Sequence, residues 1–218
     1  MTAQQTAPQR ALVLVDVQND YFDESGPLAI QYPPREESLA RIIDAIGAAQ
    51  QAGVPIAVIQ HEYPEGAPVF AAGSEGWRVH PQIEAALQGE PHRVTKNFAS
   101  VFAHTDMLDW VRENGIDTIT LTGYMTNNCV LGTAADAEPH GIGIEVLSDA
   151  TGAIHLANSA GAVSAQQVHE TLLVLLNSNF AAVGTTQDWA SAVSAGQALP
   201  GSDLGTSAVQ GRDAATQA

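Results

Sequence analysis

Cys129 and Lys96 are each the only residue of their type in the chain. Cys129 stands in TLTGYMTNNCVLGTAADA, just past a β-like run that closes on glycine and ahead of a segment with helical character. Lys96 ends the short run of VTKNF, and Asp16 ends the apolar run of LVLVDVQND. A thiol, an ammonium and a carboxylate are together the parts of nucleophilic catalysis. A free thiol titrates at about 8.5, so little thiolate exists at neutral pH. A carboxylate within hydrogen-bond reach can take the thiol proton. An ammonium and a helix N-terminus both favour the anion and would lower that pKa. A tight turn ahead of the sulfur would present backbone N–H groups to a developing oxyanion. A lone cysteine serves equally well as a small buried hydrophobe, and a lone lysine as solvated surface, so position must decide.

Position follows from the elements. Ala11–Val15 is a continuous apolar, β-branched run and reads as a strand buried on both faces. Leu39, Ile42, Ile43 and Ile46 recur at helical spacing after Glu36 and Glu37, with Gly53 beyond the helix end. Val54–Ile59 is the second strand, and a long irregular stretch from about Gln60 to Val79 follows it. A short helix near Pro81–Leu87 leads to a strand at about Arg93–Thr95, and Thr105 can cap a helix over MLDWVREN. Asp117–Thr122 is the fourth strand, and a helix spans about Thr126 to Glu138. Ile142–Leu147 is the fifth strand. Ser164 and Gln167 form a capping box ahead of Val168, Leu172, Leu175 and Leu176. Phe180–Gly184 is the sixth strand, and Gln187–Ala195 a last helix. Strands alternating with helices predict a parallel sheet covered on both sides, a three-layer α/β/α domain. Ligands in such sheets sit at the carboxyl ends of the strands. Asp16, Lys96 and Cys129 all fall at that edge.

The bulk properties bound the partners. The formal net charge of −16 argues against nucleic acid and anionic membranes, which call for clustered lysine and arginine. One cysteine forms no internal disulfide, and no apolar run reaches membrane-spanning length. The N-terminus lacks an apolar signal region, so the expected location is the cytoplasm. One domain over residues 10–195 is expected, followed by a tail over 196–218 that is poor in apolar bulk.

LVLVDVQNDYF, VTKNFASVF and TLTGYMTNNCVLGTAADA resemble the three signature segments of the isochorismatase-like (cysteine hydrolase) superfamily, over about residues 10–190. The resemblance implies a six-stranded parallel sheet of order 3-2-1-4-5-6. It implies a catalytic triad of Asp16, Lys96 and Cys129, and a non-proline cis peptide between Tyr124 and Met125. It further implies an oxyanion hole made by the N–H groups of Met125 and Cys129. Two departures bear on chemistry. Nicotinamidase-type members bind a metal through an Asp-x-His pattern after the second strand, whereas this chain reads IQHEYPEGAPVF, with Gln60 at the Asp position and no second His nearby. No metal and no cofactor is therefore expected, and roles for His61 and Glu62 stay open. Members that cleave the vinyl ether of isochorismate lack the cysteine, so its presence favours carbon–nitrogen bond hydrolysis.

Gln18, Phe22, Trp77, Tyr124, Asn128 and His155 are the candidates for substrate binding. Phe22 reads equally well as core, an asparagine beside the nucleophile as a helix cap, and His155 as plain surface. The expected activity is cleavage of an amide-like bond in a small molecule through a thioester on Cys129. The alternatives are ether hydrolysis on the same fold and a non-catalytic binding or assembly protein. Relatives are commonly dimers or tetramers, so a homo-oligomer is expected.

Overall fold

A computed structural model describes residues 7–216. Six strands form one sheet: β1 (Arg10–Val15), β2 (Ile56–His61), β3 (His92–Lys96), β4 (Thr118–Tyr124), β5 (Gly143–Gly152) and β8 (Ala182–Gly184). Their order across the sheet is β3-β2-β1-β4-β5-β8, and every neighbouring pair is parallel. The sixth strand of the sheet is thus the one at the carboxyl end of the chain. The order expected from the resemblance is the order found.

Alternation along β1 builds two cores. Leu12 and Leu14 face one layer and Ala11, Val13 and Val15 the other, and all five are fully buried. The first layer holds α1 (Arg35–Ala52), α2 (Pro81–Ala86) and α6 (Thr186–Ala195), which contribute Ile42 and Ile46, Ile83, and Trp189. The second holds α3 (Met107–Glu113), α4 (Leu131–Ala137) and α5 (Ala165–Asn179), which contribute Met107 and Val111, Ala134, and Leu176. Gly53 ends α1 in the left-handed conformation that spares glycine a Cβ penalty. Ser164 and Gln167 do form a capping box on α5. Leu175, expected on the buried face of α5, is instead exposed, and Leu172 is only half-buried.

The elements differ from the sequence reading at several boundaries. β5 runs on to Gly152 through an irregularity between Leu121 and Gly123 of its neighbour. An exposed hairpin of β6 (Leu156–Asn158) and β7 (Gly161–Val163) follows it, too short and polar in setting to leave a periodic signal. The segment expected as one helix from Thr126 is a π-type turn over Thr126–Val130, then α4, then a 3-10 turn over Glu138–His140. Residues 196–216 are more structured than their composition suggests. Leu199 is buried, its N–H donates to Glu145 Oε1, and α7 (Leu204–Ala215) follows with no buried residue. No helix of the described residues is long and apolar enough to cross a membrane.

Glu145 organises the amino edge of the sheet. Arg10 holds it through a bidentate pair at 2.8 and 2.7 Å, and Thr120 Oγ1 and Trp189 Nε1 also donate to its carboxylate. This satisfied polar cluster lies at the end of the sheet away from Asp16, Lys96 and Cys129.

Candidate active site

The carboxyl edge of the sheet brings the three chemical residues together. Asp16 follows β1 with φ +50, a left-handed conformation that Asp tolerates better than most residues. Lys96 is the last residue of β3 and crosses beneath the end of β2. Cys129 lies in the π-type turn after β4. The path of that turn depends on Gly123, which has φ +94. A Cβ there would lie 2.1 Å from the carbonyl oxygen of Val15, so only glycine lets β4 end beside Asp16. The next peptide, Tyr124–Met125, is cis.

Lys96 Nζ donates to Asp16 Oδ2 at 2.7 Å and to Cys129 Sγ at 3.2 Å, and lies 3.0 Å from His61 Nδ1. An ammonium has three donors and no acceptor, so these three partners use all of them. The same contact makes His61 Nδ1 the acceptor and leaves the ring proton on Nε2. All four residues are buried.

The electrostatics differ from the sequence expectation. Burial pushes the Cys129 thiol up, Asp16 adds to the rise by its charge and its hydrogen bond, and Lys96 pulls the other way without prevailing. The resting sulfur is a thiol. For Lys96, burial works against the charged form, but Asp16 and Cys129 outweigh it and raise its pKa. His61 is lowered, first by burial and then by Lys96, and stays neutral. Tyr21 is raised, first by burial and then by the charge of Asp16.

The expected substrate contacts sort unevenly. Gln18 is fully buried. Its Nε2 donates to the carbonyls of His61 and Trp77, and its Oε1 accepts from the His61 N–H. It therefore clamps the loop after β2 onto the end of β1, with both ends of its amide engaged within the protein. Tyr124 is likewise closed off, its hydroxyl 2.7 Å from Ser38 Oγ on α1. Its ring packs on Tyr21 and on Phe22, which also lies tilted against His80. Trp77 is half-buried in the clamped loop, with an indole N–H that meets no partner in the protein. Asn128 is exposed, whereas its neighbour Asn127 turns a buried Oδ1 inward without a partner. His155 is exposed just before β6, and its Nδ1 accepts the first N–H of α5, from Ala165.

His61, Tyr21 and Phe70 complete the site, and the sequence left their roles open or unread. Phe70 packs on the rings of Tyr21 and His61, and its N–H donates to Asp20 Oδ2. Asp20 and Gly76 touch so closely that a Cβ on Gly76 would lie 1.9 Å from Asp20 Oδ1. The signal for this clamp was the run Gln18-Asn19-Asp20, three amide and acid side chains in a row beside a catalytic candidate.

Asp16, His61 and Cys129 offer ligand atoms within 4.8 Å of one another, a donor set that suits a divalent cation. The Lys96 ammonium is bonded to all three, so the protein's own cation fills the centre of that set. Gln60, at the position where a ligand Asp would stand, donates to the Trp77 carbonyl.

The family model for the isochorismatase domain matches residues 10–188. The chain belongs to the isochorismatase family. Among solved isochorismatase-family structures, a crystal structure from Burkholderia xenovorans LB400 is 41% identical and superposes with a TM-score of 0.92 over 97% of this chain and all of that one, 100%. The isochorismatase family protein YddQ of Bacillus subtilis is 29% identical over 81% of this chain and 96% of its own. The nicotinamidase/pyrazinamidase of Mycobacterium tuberculosis is 28% identical over 76% of this chain and 98% of its own. Membership of this family supports hydrolase activity of the cysteine-bearing isochorismatase type.

Proposed function

We propose that the protein hydrolyses a carbon–nitrogen bond of an amide-like small molecule, with Cys129 as nucleophile, Asp16 as acid–base and Lys96 as the cation that orients both. The observation that carries this reading is the Lys96 ammonium shared between Asp16 Oδ2 and Cys129 Sγ, 2.7 and 3.2 Å away. Family members named for amide cleavage support it: the nicotinamidase/pyrazinamidase, and a maleamate amidohydrolase of Pseudomonas putida that is 24% identical.

The resting thiol sets the order of events. As the sulfur approaches the carbonyl carbon, its proton passes to Asp16, so no free thiolate has to persist in a buried site. The carbonyl oxygen becomes an oxyanion held by the backbone N–H groups of Met125 and Cys129. Asp16 then returns the proton to the leaving nitrogen as the carbon–nitrogen bond breaks. An amine or ammonia departs and a thioester to Cys129 remains. Asp16 next takes a proton from water, and the hydroxide equivalent cleaves the thioester, restoring the thiol and releasing a carboxylic acid. Lys96 keeps Asp16 and the sulfur in register at each step. His61, bonded to Lys96 from a third side, fixes where the ammonium points.

The test is ammonia release from a panel of primary amides, ureides and lactams by the intact chain, Cys129→Ala and Lys96→Met. The expected result is turnover of at least one class by the intact chain, none by Cys129→Ala and a loss of roughly a hundredfold or more in kcat for Lys96→Met. Turnover that survives in Cys129→Ala would remove the cysteine from the mechanism and with it the amide reading.

A further inference from the structure

The charges around Cys129 bear on which amides can enter. The nearest cation is already committed: each donor of the Lys96 ammonium has a protein partner, and Asp16 offsets its charge. His61, which packs on Phe70, and His80, which packs on Phe22, are both lowered in pKa by burial, helped at His61 by Lys96. No arginine replaces them. Arg10 is buried against Glu145 at the opposite edge of the sheet. Arg78, beside Trp77, is exposed and pairs with Glu75, and Arg35 pairs with Glu24 and Glu36. The formal net charge of −16 adds a long-range field that turns anions away.

What the site does offer carries no free positive charge. Four buried side-chain atoms among the described residues lack a hydrogen-bond partner in the protein: Asp16 Oδ1, His61 Nε2, Trp77 Nε1 and Asn127 Oδ1. All four belong to the carboxyl edge or to the loop that Gln18 clamps over it. Buried polar groups are nearly always paired, so such a concentration marks where a ligand's polar atoms belong. Two of the four are uncharged N–H donors suited to a carbonyl, and Asn127 Oδ1 is an uncharged acceptor suited to an amide N–H. The ring of Phe70 packs on His61, and the rings of Tyr21, Tyr124 and Phe22 continue from it as one aromatic cluster.

We infer that the site selects uncharged amides with an apolar or aromatic body and rejects amides that carry a carboxylate. The inference rests on the amide-hydrolase reading for the bond that is cut, but not for the charge preference. A carboxylate would give up its water on entry and find no free cation in return, a cost that an uncharged body avoids.

The experiment has two arms, both on the full chain. The first compares hydrolysis of benzamide with that of 3-carbamoylbenzoate, the same amide bearing a carboxylate. The second compares alkylation of Cys129 by iodoacetamide and by iodoacetate at pH 8.5, read from the mass of the Cys129 peptide, with N-acetylcysteine as the reference thiol. The expected iodoacetamide-to-iodoacetate rate ratio at Cys129 exceeds the reference ratio by roughly tenfold or more, and benzamide is turned over with the higher kcat/KM. A Cys129 ratio equal to or below the reference, or comparable kcat/KM for both amides, overturns the inference while leaving the hydrolase reading intact. Selective alkylation with hydrolysis of neither amide supports the charge preference and counts against the hydrolase reading. Alkylation of the unfolded chain alone, with the folded chain inert to both reagents, overturns the inference as well, because nothing then enters the site.

Discussion

Lys96 Nζ donates to Cys129 Sγ at 3.2 Å, and yet the thiol is pushed up in pKa rather than down. Burial is the first cause and Asp16 the second; the ammonium is largely spent on offsetting that carboxylate. Burial and Asp16 thus favour the protonated sulfur, and in the mechanism proposed above its proton passes to Asp16 only when a carbonyl arrives.

This arrangement makes one substitution act in opposite directions on two assays. Asp16→Asn removes a charge and an acceptor that both raise the thiol pKa. Alkylation of Cys129 by iodoacetamide at pH 7 is expected to become faster, while amide hydrolysis falls by roughly 10²–10⁴-fold for want of a base. In the intact chain the alkylation rate should keep climbing past pH 8.5, where a free thiol begins to level off. Slower alkylation in Asp16→Asn would mean that the carboxylate does not suppress the thiolate.

Gly123→Ala tests the turn that delivers the nucleophile. Its φ of +94 and a Cβ position that would fall 2.1 Å from Val15 O leave no room for a methyl group. The expected cost is on the order of 3 kcal/mol, read as a lower denaturant midpoint in urea unfolding. Gly47→Ala is the control: a Cβ on Gly47, inside α1, meets nothing within 4 Å, so its midpoint should hold or rise.

Much of the fold was legible because its strands are apolar runs and its helices carry clear periodicity. β1 and β2 are buried on both faces, and α1 repeats Leu39, Ile42 and Ile46 toward one core. The convergence of Asp16, Lys96 and Cys129 was legible for a related reason: a parallel sheet sends the end of each strand to one edge, so three distant segments could be brought together without coordinates. What the sequence could not show was desolvation. The cation beside Cys129 was readable, but its being outweighed depends on burial and on Asp16. Gln18 and Tyr124 read as substrate contacts, and their polar groups turned out to be used within the protein, on His61 and Trp77 and on Ser38. His155 reads as a pocket residue by its place after β5, but the hairpin carries it to the surface, where it caps α5. Composition also undersold residues 196–216, because the contact of Leu199 with Glu145 is a single long-range hydrogen bond invisible to local pattern.

Glu145→Ala should separate stability from activity. Arg10 and Glu145 are each only 3% exposed in their side chains, so removing one leaves the other charge buried without its partner. The expected loss is about 3–5 kcal/mol, with kcat unchanged at a temperature where the variant is folded. A variant as stable as the parent would show that the cluster at the amino edge adds nothing net.

Histidine burial links stability to pH on the acid side. His169, hydrogen-bonded near Thr126 Oγ1 and the Ser148 carbonyl, is lowered in pKa chiefly by burial, and His61 and His80 are lowered for the same first reason. Each binds a proton more readily when the chain is unfolded. Their contribution is complete above the unfolded value of about 6.5 and is lost as pH falls below it toward the depressed folded values. Tm should decline from about pH 6.5 downward, and His169→Gln should make that decline shallower. An unchanged slope would take His169 out of the linkage.

The central claim is that Cys129 carries the acyl group of the substrate. It is tested most directly by mixing the protein with an amide it turns over, quenching in acid within a single turnover and measuring the mass of the Cys129 peptide. The expected result is that peptide heavier by the acyl fragment, labile to hydroxylamine, and absent in Cys129→Ala. Turnover at full rate with Cys129 unmodified at every time point, in a Cys129→Ala chain as well as in the parent, would contradict the account.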